Sequence, residues 1–223
     1  MILILLNEIS KEIEKNKSES LLDIGAGNGL LSIPLSKKVN KYLAIEPNKN
    51  FIVKLRENGV SVLEGAFPME VPETFDIVLA SHSISYQKNS LEEFIREGWK
   101  AVKPGGIFLI ITYRGQEDDW TRLMKNLGEN HEDRNRVVFG RMIQTLSSLG
   151  RVKTRKVITK VKTENLEDMV QSLMFVASGG KREKKEQFFK KKSQLVKILK
   201  HGYQDKNGYF FPFQHFFITT QKQ

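Results

Sequence analysis

Three glycines at alternate positions, Gly25, Gly27 and Gly29, give the segment DIGAGNG at residues 23–29 a backbone that can bind a ligand. Glycine allows a sharp turn and lets a ligand approach the main chain without a Cβ atom in the way. A phosphate-binding P-loop would need Gly-Lys-Ser/Thr, which this segment lacks. A dinucleotide-binding loop would need a further glycine at position 30, where the chain has Leu30. The segment therefore fits neither of these two loop types.

Two acidic residues limit the classes of ligand that this loop could bind. Asp23 is expected at the mouth of the glycine loop, where a carboxylate would repel a pyrophosphate and attract an ammonium or sulfonium group. Glu46 lies 21 residues after Gly25, at the predicted end of the next strand. There it could accept hydrogen bonds from both hydroxyls of a ribose, or it could be an exposed charge at a strand end. Together the two carboxylates predict a pocket for a positively charged nucleoside.

The elements that must position these residues alternate between strands and helices. Short apolar runs predict strands near residues 20–24, 41–46, 60–67, 75–83 and 105–113, and helical periodicity fills the intervals between most of them. Beyond these the pattern predicts helices at 117–128, 133–149, 164–177 and 182–201, with strands at 152–161 and 209–221. Parallel strands need crossover connections, which are usually helices. The alternation therefore predicts an α/β fold with a doubly wound sheet.

Four segments between residues 18 and 113 resemble, in order, the motifs of the class I S-adenosylmethionine-dependent methyltransferases. They are LLDIGAGNG, the acidic strand end AIEP, the turn GAF with FDIVLASHS after it, and AVKPGGIFLII. The resemblance implies a Rossmann-like sheet of seven strands, mostly parallel with an antiparallel last strand. It also implies S-adenosylmethionine bound across the carboxyl ends of the first strands, the edge where open α/β sheets bind ligands.

The resemblance further implies a role for each matching position. The methionine part of the cofactor is expected against the glycine loop, the ribose on Glu46, the adenine beside the GAF turn, and Ser81 beneath the sulfonium. The predicted cofactor-binding residues are Asp23, Gly25, Ala26, Gly27, Asn28, Glu46, Pro47, Gly65, Ala66, Phe67 and Ser81. The segment KPGG at residues 103–106 is interpreted as a structural turn far from the methyl group.

His82, at the end of the fourth predicted strand, is the candidate catalytic residue. Methyl transfer from a sulfonium mainly requires alignment of the nucleophile and exclusion of water, so a base is optional. An imidazole of near-neutral pKa could take a proton from a substrate O–H or N–H. The alternative is a histidine held by hydrogen bonds at the pocket wall. Tyr86 and Tyr113 could orient the substrate or simply pack.

Composition excludes several other chemistries. The 223-residue chain has no cysteine, which removes disulfides, Cys-ligated metals and thiolate nucleophiles. Its four histidines show no paired metal-ligand spacing, so no metal site is expected. Missing disulfides and targeting signals favour a cytoplasmic location. No window has the roughly 18 uncharged apolar residues that span a bilayer, so no membrane partner is expected.

The net charge of +10 is concentrated in the last third of the chain. Residues 1–150 carry 19 Lys and Arg against 20 Asp and Glu, whereas residues 151–223 carry 17 against 6. This basic segment, with the aromatic stretch YFFPFQHFF, could bind RNA through phosphate contacts and base stacking. The alternation in that stretch equally fits a buried strand. An RNA or protein methyltransferase is one alternative, and a non-catalytic module that binds the cofactor is another.

The preferred interpretation is a methyltransferase that acts on an O, N or C nucleophile of a small molecule. The Asn/Asp-Pro-Pro-Tyr/Phe motif of enzymes that methylate base amino groups is absent, and carbon-5 pyrimidine methylation needs a cysteine, so no DNA partner is expected. The chain is interpreted as one domain over 1–223. Its parts are an N-terminal helix (1–17), a cofactor-binding half (18–113), a substrate-side half with a helical lid (114–206) and a last strand (207–223). The methyl acceptor and the oligomeric state stay open.

Overall fold

The computed structural model describes residues 2–84, 91–113, 118–129, 132–178, 186 and 188–223, apart from the side chains of residues 132–135. Tyr86 lies outside these residues. The chain divides into two compact units. The first comprises Met1–Arg114, Val137–Val157 and His215–Gln223, and the second comprises Gly115–Arg136 and Ile158–Gln214. A lid function for residues 114–206 stays a prediction.

The sheet has the predicted mostly parallel character. Its strands are β1 (Ser20–Ile24), β2 (Lys41–Glu46), β3 (Ser61–Glu64), β4 (Phe75–Ser81), β5 (Val102–Thr112), β6 (Val152–Thr163), β7 (Gln204–Asp205) and β8 (Gly208–Gln221). Their order is β3-β2-β1-β4-β5-β8-β6, and β7 pairs with β8. The first five strands pair in parallel, and β8 pairs with β5 in the antiparallel direction. The sheet thus has eight strands rather than the seven predicted, because the two-residue β7 extends it.

The described helices occupy the predicted intervals. They are α1 (Ile2–Lys15), α2 (Ser32–Ser36), α3 (Lys49–Glu57), α4 (Leu91–Lys100), α5 (Asp119–Asn126), α6 (Glu132–Ser147), α7 (Leu166–Ser178) and α8 (Lys192–Gly202). The side chain of Asn48 caps the start of α3 by accepting from the backbone N–H groups of Asn50 and Phe51. Gly59, with φ of +76°, follows its end, and glycine is common just after a helix because it adopts this left-handed conformation easily.

The central strands of the first unit have an apolar layer on each face. In β1, Leu22 and Ile24 belong to one buried cluster and Leu21 belongs to the other. The same alternation separates Val78 from Leu79 in β4. Because side chains alternate across a strand, a strand covered on both faces reads as a continuous apolar run. This explains why the sequence shows these strands as unbroken hydrophobic stretches.

The KPGG segment, residues 103–106, lies inside β5 near its start, so the prediction of a turn before this strand is wrong. A Cβ atom at Gly106 would lie 2.7 Å from the carbonyl oxygen of Asp76. The ammonium of Lys103 donates to the Asp76 carboxylate at 2.9 Å. The same carboxylate accepts from the backbone N–H and the hydroxyl of Ser20 at 2.8 and 2.7 Å. These contacts join the starts of β1, β4 and β5.

Alternate residues of the aromatic tail are buried. Phe211, Phe213, His215 and Phe217 in β8 are each at most 1% exposed, which confirms a buried strand. In the second unit, the Trp120 ring lies 5.5 Å from that of Phe213. No helix within the residues described above is long and apolar enough to cross a membrane.

Candidate functional site

The candidate site lies at the carboxyl ends of the parallel strands. In the sheet β1 lies between β2 and β4, and their last residues are Ile24, Glu46 and Ser81. Loops that follow parallel strands meet at one edge of the sheet, which is where open α/β sheets bind ligands. All the residues of the site discussed below belong to the first unit.

The glycine loop has the left-handed backbone that its sequence predicts. Gly25, Gly27 and Gly29 have φ values of +79°, +61° and +84°, which residues with a Cβ atom rarely adopt. The N–H of Gly25 donates to the carbonyl oxygen of Ile45 at 2.8 Å. A Cβ atom at Gly25 would lie 2.4 Å from the Cβ atom of Ser83. Glycine is therefore required at position 25 both by the turn and by the close approach of Ser83.

The carboxylate of Glu46 connects the glycine loop to the start of α3 by hydrogen bonds. Its carboxylate is 5% exposed and accepts from the N–H of Gly27 at 2.7 Å and from the N–H of Asn48 at 2.9 Å. Each of its oxygens accepts one of these bonds, and a carboxylate oxygen can accept two. The group therefore has acceptor capacity left for a ligand hydroxyl.

Asp23 points into the protein beneath the loop. Its Oδ2 atom accepts from the hydroxyls of Ser32 and Tyr42, both at 2.6 Å, and the residue is 3% exposed. Burial raises the pKa of Asp23 and outweighs the opposing effect of these two hydrogen bonds. Burial and the neighbouring carboxylate also raise the pKa of Tyr42. In this structure Asp23 supports the loop from below, and its predicted contact with the cofactor ammonium stays a prediction.

A cavity of about 340 Å³ opens between the glycine loop, the end of β2 and the GAF turn. Its size falls in the range of small-molecule sites. Its lining is mainly apolar, with the carboxylate of Glu46 and the side chain of Ser83 as polar groups, and the Phe67 ring packs edge-on against Phe94 at 4.9 Å. The lining residues are Ile24, Gly25, Ile45, Glu46, Pro47, Gly65, Ala66, Phe67, Ser83 and Phe94.

Two serines near the end of β4 carry hydroxyls that are buried and have no hydrogen-bond partner among the residues the structure describes. They belong to Ser81 and Ser83. A buried polar group without a partner costs free energy, typically about 1 to 3 kcal/mol, unless a ligand or water satisfies it. These hydroxyls therefore favour a polar ligand at this edge.

His82 lies between these serines and belongs to a cluster of three rings. Its Nε2 atom is 3.0 Å from Nδ1 of His215, and its ring stacks on Tyr113 with centroids 4.3 Å apart. His215 is fully buried, and desolvation lowers its pKa to about 4. His82 as a residue is exposed, but packing of its ring lowers its pKa too, helped by repulsion from His215. Both imidazoles are consequently neutral at pH 7, and the near-neutral pKa expected of His82 is wrong, because desolvation of the ring lowers it to about 3.

A comparison with protein families finds a match within the first unit. Residues 22–110, less than half of the chain, match a family described as a methyltransferase domain, and they contain β2–β4, most of β1 and β5, and every residue that lines the cavity. This segment is therefore similar to a methyltransferase domain.

Individual relatives match the same part of the chain. The ubiquinone biosynthesis O-methyltransferase of Methylobacterium nodulans is 34% identical over 103 residues, which are 42% of this chain and 40% of that protein. The protein of the same name from Agrobacterium fabrum is 32% identical over 100 residues, 41% of this chain and 40% of that protein. The match thus spans about two fifths of the length of these curated relatives.

Solved structures share the fold of nearly the whole chain. The YcgJ protein of Bacillus subtilis superposes with a TM-score of 0.66 at 17% identity, covering 98% of this chain and 97% of that one. Precorrin-6y C5,15-methyltransferase of Geobacter metallireducens gives a TM-score of 0.55 at 15% identity, covering 97% and 88%. At this level of identity the likeness concerns the fold alone.

The structure brings most of the predicted cofactor-binding residues together. Those that line the cavity are Gly25, Glu46, Pro47, Gly65, Ala66 and Phe67. Gly27 contacts the carboxylate of Glu46, whereas the side chain of Asn28 accepts from the N–H of Leu30 on the exposed side of the loop. Ser81 and Ala26 are beside the cavity rather than in its lining. The role of each of these residues toward the cofactor stays a prediction.

Sequence reasoning missed three residues of this edge. Phe94 lines the cavity from the apolar face of α4, and that face was visible in the sequence. His215 shares a period of two with Phe211 and Phe213, so the tail pattern placed it on a buried face. The contact of Ser83 with Gly25 has no sequence signal, because it depends on the path of the loop after β4.

Within the described residues, no group of three or more His, Cys, Asp or Glu could hold a metal ion.

Proposed function

We propose that the chain is an S-adenosylmethionine-dependent methyltransferase that transfers a methyl group to an O, N or C nucleophile of a small molecule. The observation that carries this proposal is the Glu46 carboxylate, which is bonded to the glycine loop and lines a cavity inside the segment that matches the methyltransferase family. A buried carboxylate with free acceptor capacity suits a ribose and disfavours a phosphate.

The lining residues fit the chemistry of S-adenosylmethionine. Glu46 would accept hydrogen bonds from the ribose hydroxyls, and Phe67 with Phe94 would cover the adenine. The glycine loop and the unpartnered hydroxyl of Ser83 would meet the polar methionine part. When bound, this cofactor supplies an electrophilic methyl group on a positively charged sulfur.

The protein's own contribution is to align the acceptor and keep water away from it. Transfer is a displacement in which charge disperses, so the apolar lining assists the reaction without a strong acid or base. The relatives from Methylobacterium nodulans and Agrobacterium fabrum are O-methyltransferases by name, which supports a small-molecule acceptor with a hydroxyl group. For such an acceptor, His82 is the candidate base.

An RNA or protein acceptor remains the alternative, with weaker support. A probable ribosomal RNA small subunit methyltransferase A of Methanosphaera stadtmanae is 31% identical over 93 residues, 38% of this chain and 33% of that protein. The aromatic rings of Phe211, Phe213 and Phe217 are buried, however, and so cannot stack on bases. A non-catalytic cofactor-binding module and a cytoplasmic location also stay predictions.

Calorimetric titration with S-adenosylmethionine tests the proposal. We expect binding by the wild-type chain and about 10- to 100-fold weaker binding by Glu46→Ala, the range that a lost hydrogen bond to a charged group gives. Incubation of the cofactor with phenols, amines and carboxylic acids should then release S-adenosylhomocysteine with at least one acceptor class. Binding without any release would favour the non-catalytic module.

Glu64 provides the matched control. It ends β3 directly opposite Glu46 in the parallel register, but it is exposed and lines no part of the cavity. Glu64→Ala should therefore leave the dissociation constant unchanged. Equal effects of the two substitutions, or no binding by the wild-type chain, would contradict the proposal.

A further inference from the structure

His215 is a buried, neutral imidazole that none of the proposed cofactor contacts uses. It comes from β8, the antiparallel strand next to β5, and its ring meets His82 from a position 133 residues later in the chain. The contact joins Nδ1 of His215 to Nε2 of His82, so one neutral ring donates and the other accepts.

The backbone of His82, like its ring, is restricted by its conformation and contacts. Its φ is +54°, a left-handed conformation that is strained for a non-glycine residue. Its N–H donates to the carbonyl oxygen of Ile111 at 2.8 Å, which continues the pairing of β4 with β5. Tyr113 stacks on the ring and His215 contacts its Nε2 atom, so two neighbours restrict the orientation of the side chain. Such residues cluster at functional sites.

The atoms in contact restrict the protonation of the pair. In a neutral pair only one nitrogen of the Nε2–Nδ1 contact carries the hydrogen. If Nε2–H of His82 donates, Nδ1 of His215 accepts, and both rings hold the Nε2–H tautomer that free imidazoles prefer. This arrangement leaves Nδ1 of His82 as an acceptor.

We propose that His215 is a positioning residue that holds His82 in the Nε2–H tautomer, so that Nδ1 of His82 accepts the proton of the methyl acceptor. This inference rests on the proposed methyltransferase function. In the transfer step the acceptor's lone pair forms the new bond to the methyl carbon, and the electrons of the sulfur–carbon bond go to sulfur. The acceptor's proton goes to Nδ1 of His82, and water removes it after the product leaves.

The tautomer of His82 can be observed without knowing the acceptor. We would label the chain with 15N-histidine and record long-range 1H–15N spectra at pH 7, assigning the His82 ring by its loss in His82→Gln. The wild-type ring should be purely Nε2–H. His215→Phe keeps an aromatic ring but removes the partner, so His82 should become a mixture of tautomers. His215→Asn places a carbonyl oxygen near the former Nδ1 and should restore the single form.

Two further measurements separate this role from a structural one. Thr220→Val, in the same strand and equally buried, should change neither the His82 spectrum nor the midpoint of unfolding by more than a small amount. With an acceptor found by S-adenosylhomocysteine release, His215→Phe should lower kcat about 10- to 100-fold with KM and cofactor affinity nearly unchanged, and His215→Asn should recover part of the loss.

The possible outcomes distinguish this inference from the proposed function. If the wild-type chain does not bind S-adenosylmethionine, the proposed function is overturned. The spectra still show whether His215 holds His82 in one tautomer. An unchanged His82 tautomer in folded His215→Phe overturns the positioning role even if methyl transfer is found. If His215→Phe does not fold, the tautomer of His215 can be measured in His82→Gln instead. There the amide nitrogen of the glutamine replaces Nε2 of His82, and Nδ1 of His215 should stay unprotonated.

Discussion

Gly25 and Ser83 form the tightest contact of the glycine loop. A Cβ atom at position 25 would both adopt a left-handed φ of +79° and lie 2.4 Å from Ser83. Gly59 has nearly the same φ, +76°, but an added Cβ atom there meets nothing within 4 Å. A comparison of substitutions at Gly25 and Gly59 therefore separates the effect of backbone strain from that of steric contact.

We expect Gly59→Ala to cost about 1 kcal/mol of unfolding free energy, from backbone strain alone. Gly25→Ala should cost about 1 to 3 kcal/mol more and weaken S-adenosylmethionine binding, because two Cβ atoms cannot approach so closely. Urea unfolding and calorimetry measure both effects. Ser83→Gly, combined with Gly25→Ala, should recover most of the difference, and a failure to do so would contradict the steric explanation.

The starts of β1, β4 and β5 are joined by Asp76, at the sheet edge opposite the cavity. Its carboxylate accepts from Lys103 and from the backbone and hydroxyl of Ser20, and its side chain is 27% exposed. The pair Lys41–Glu73 is a useful comparison, because it is also an acid with a lysine but its members are 57% and 34% exposed. Exposed ion pairs contribute little to stability.

Asp76→Ala should lower the unfolding free energy by about 2 kcal/mol, since several hydrogen bonds to one charged group are lost. Glu73→Ala should change it by less than about 0.5 kcal/mol. Neither substitution should alter the affinity for S-adenosylmethionine, because both residues are at the other end of the strands. A loss of affinity in Asp76→Ala with unchanged stability would contradict this division between the two edges.

Burial of His215 couples the stability of the whole chain to pH. Its pKa is about 4 in the folded protein, compared with 6.5 for a free histidine. Because the folded pKa is the lower one, the unfolded chain takes up a proton first as the pH falls. The stabilising contribution is therefore complete above pH 6.5 and is lost progressively toward pH 4. The raised pKa of Asp23 has the opposite effect, since it favours the folded state at low pH.

The comparison of His82→Gln with His82→Gln/His215→Phe isolates this effect, because Asp23 is present in both and His82 in neither. Between pH 7 and pH 4 the first protein should lose up to about 3 kcal/mol more unfolding free energy than the second. Urea unfolding at several pH values provides the measurement. Parallel curves for the two proteins would contradict the burial of His215 as a neutral group.

Patterns local to the chain were sufficient for a large part of this description. The alternation of strands and helices, the turn at Gly25–Gly29, the acidic end of β2 and the stop of α3 at Gly59 all depend on residues within about one element of each other. Composition alone also excluded cysteine chemistry. These features can be predicted from the sequence because backbone preferences and the hydrophobic period depend on residues that are close together along the chain.

The tertiary structure decided which way the polar groups point and which distant residues meet. Asp23 was expected at the mouth of the loop, yet Ser32 and Tyr42 hold its carboxylate inside. His215 reaches His82 only because β8 is inserted beside β5 in an antiparallel register, which brings positions 133 residues apart into contact. A sequence pattern fixes the face of a strand, but the neighbour across the sheet depends on strand order and register, which the whole fold determines.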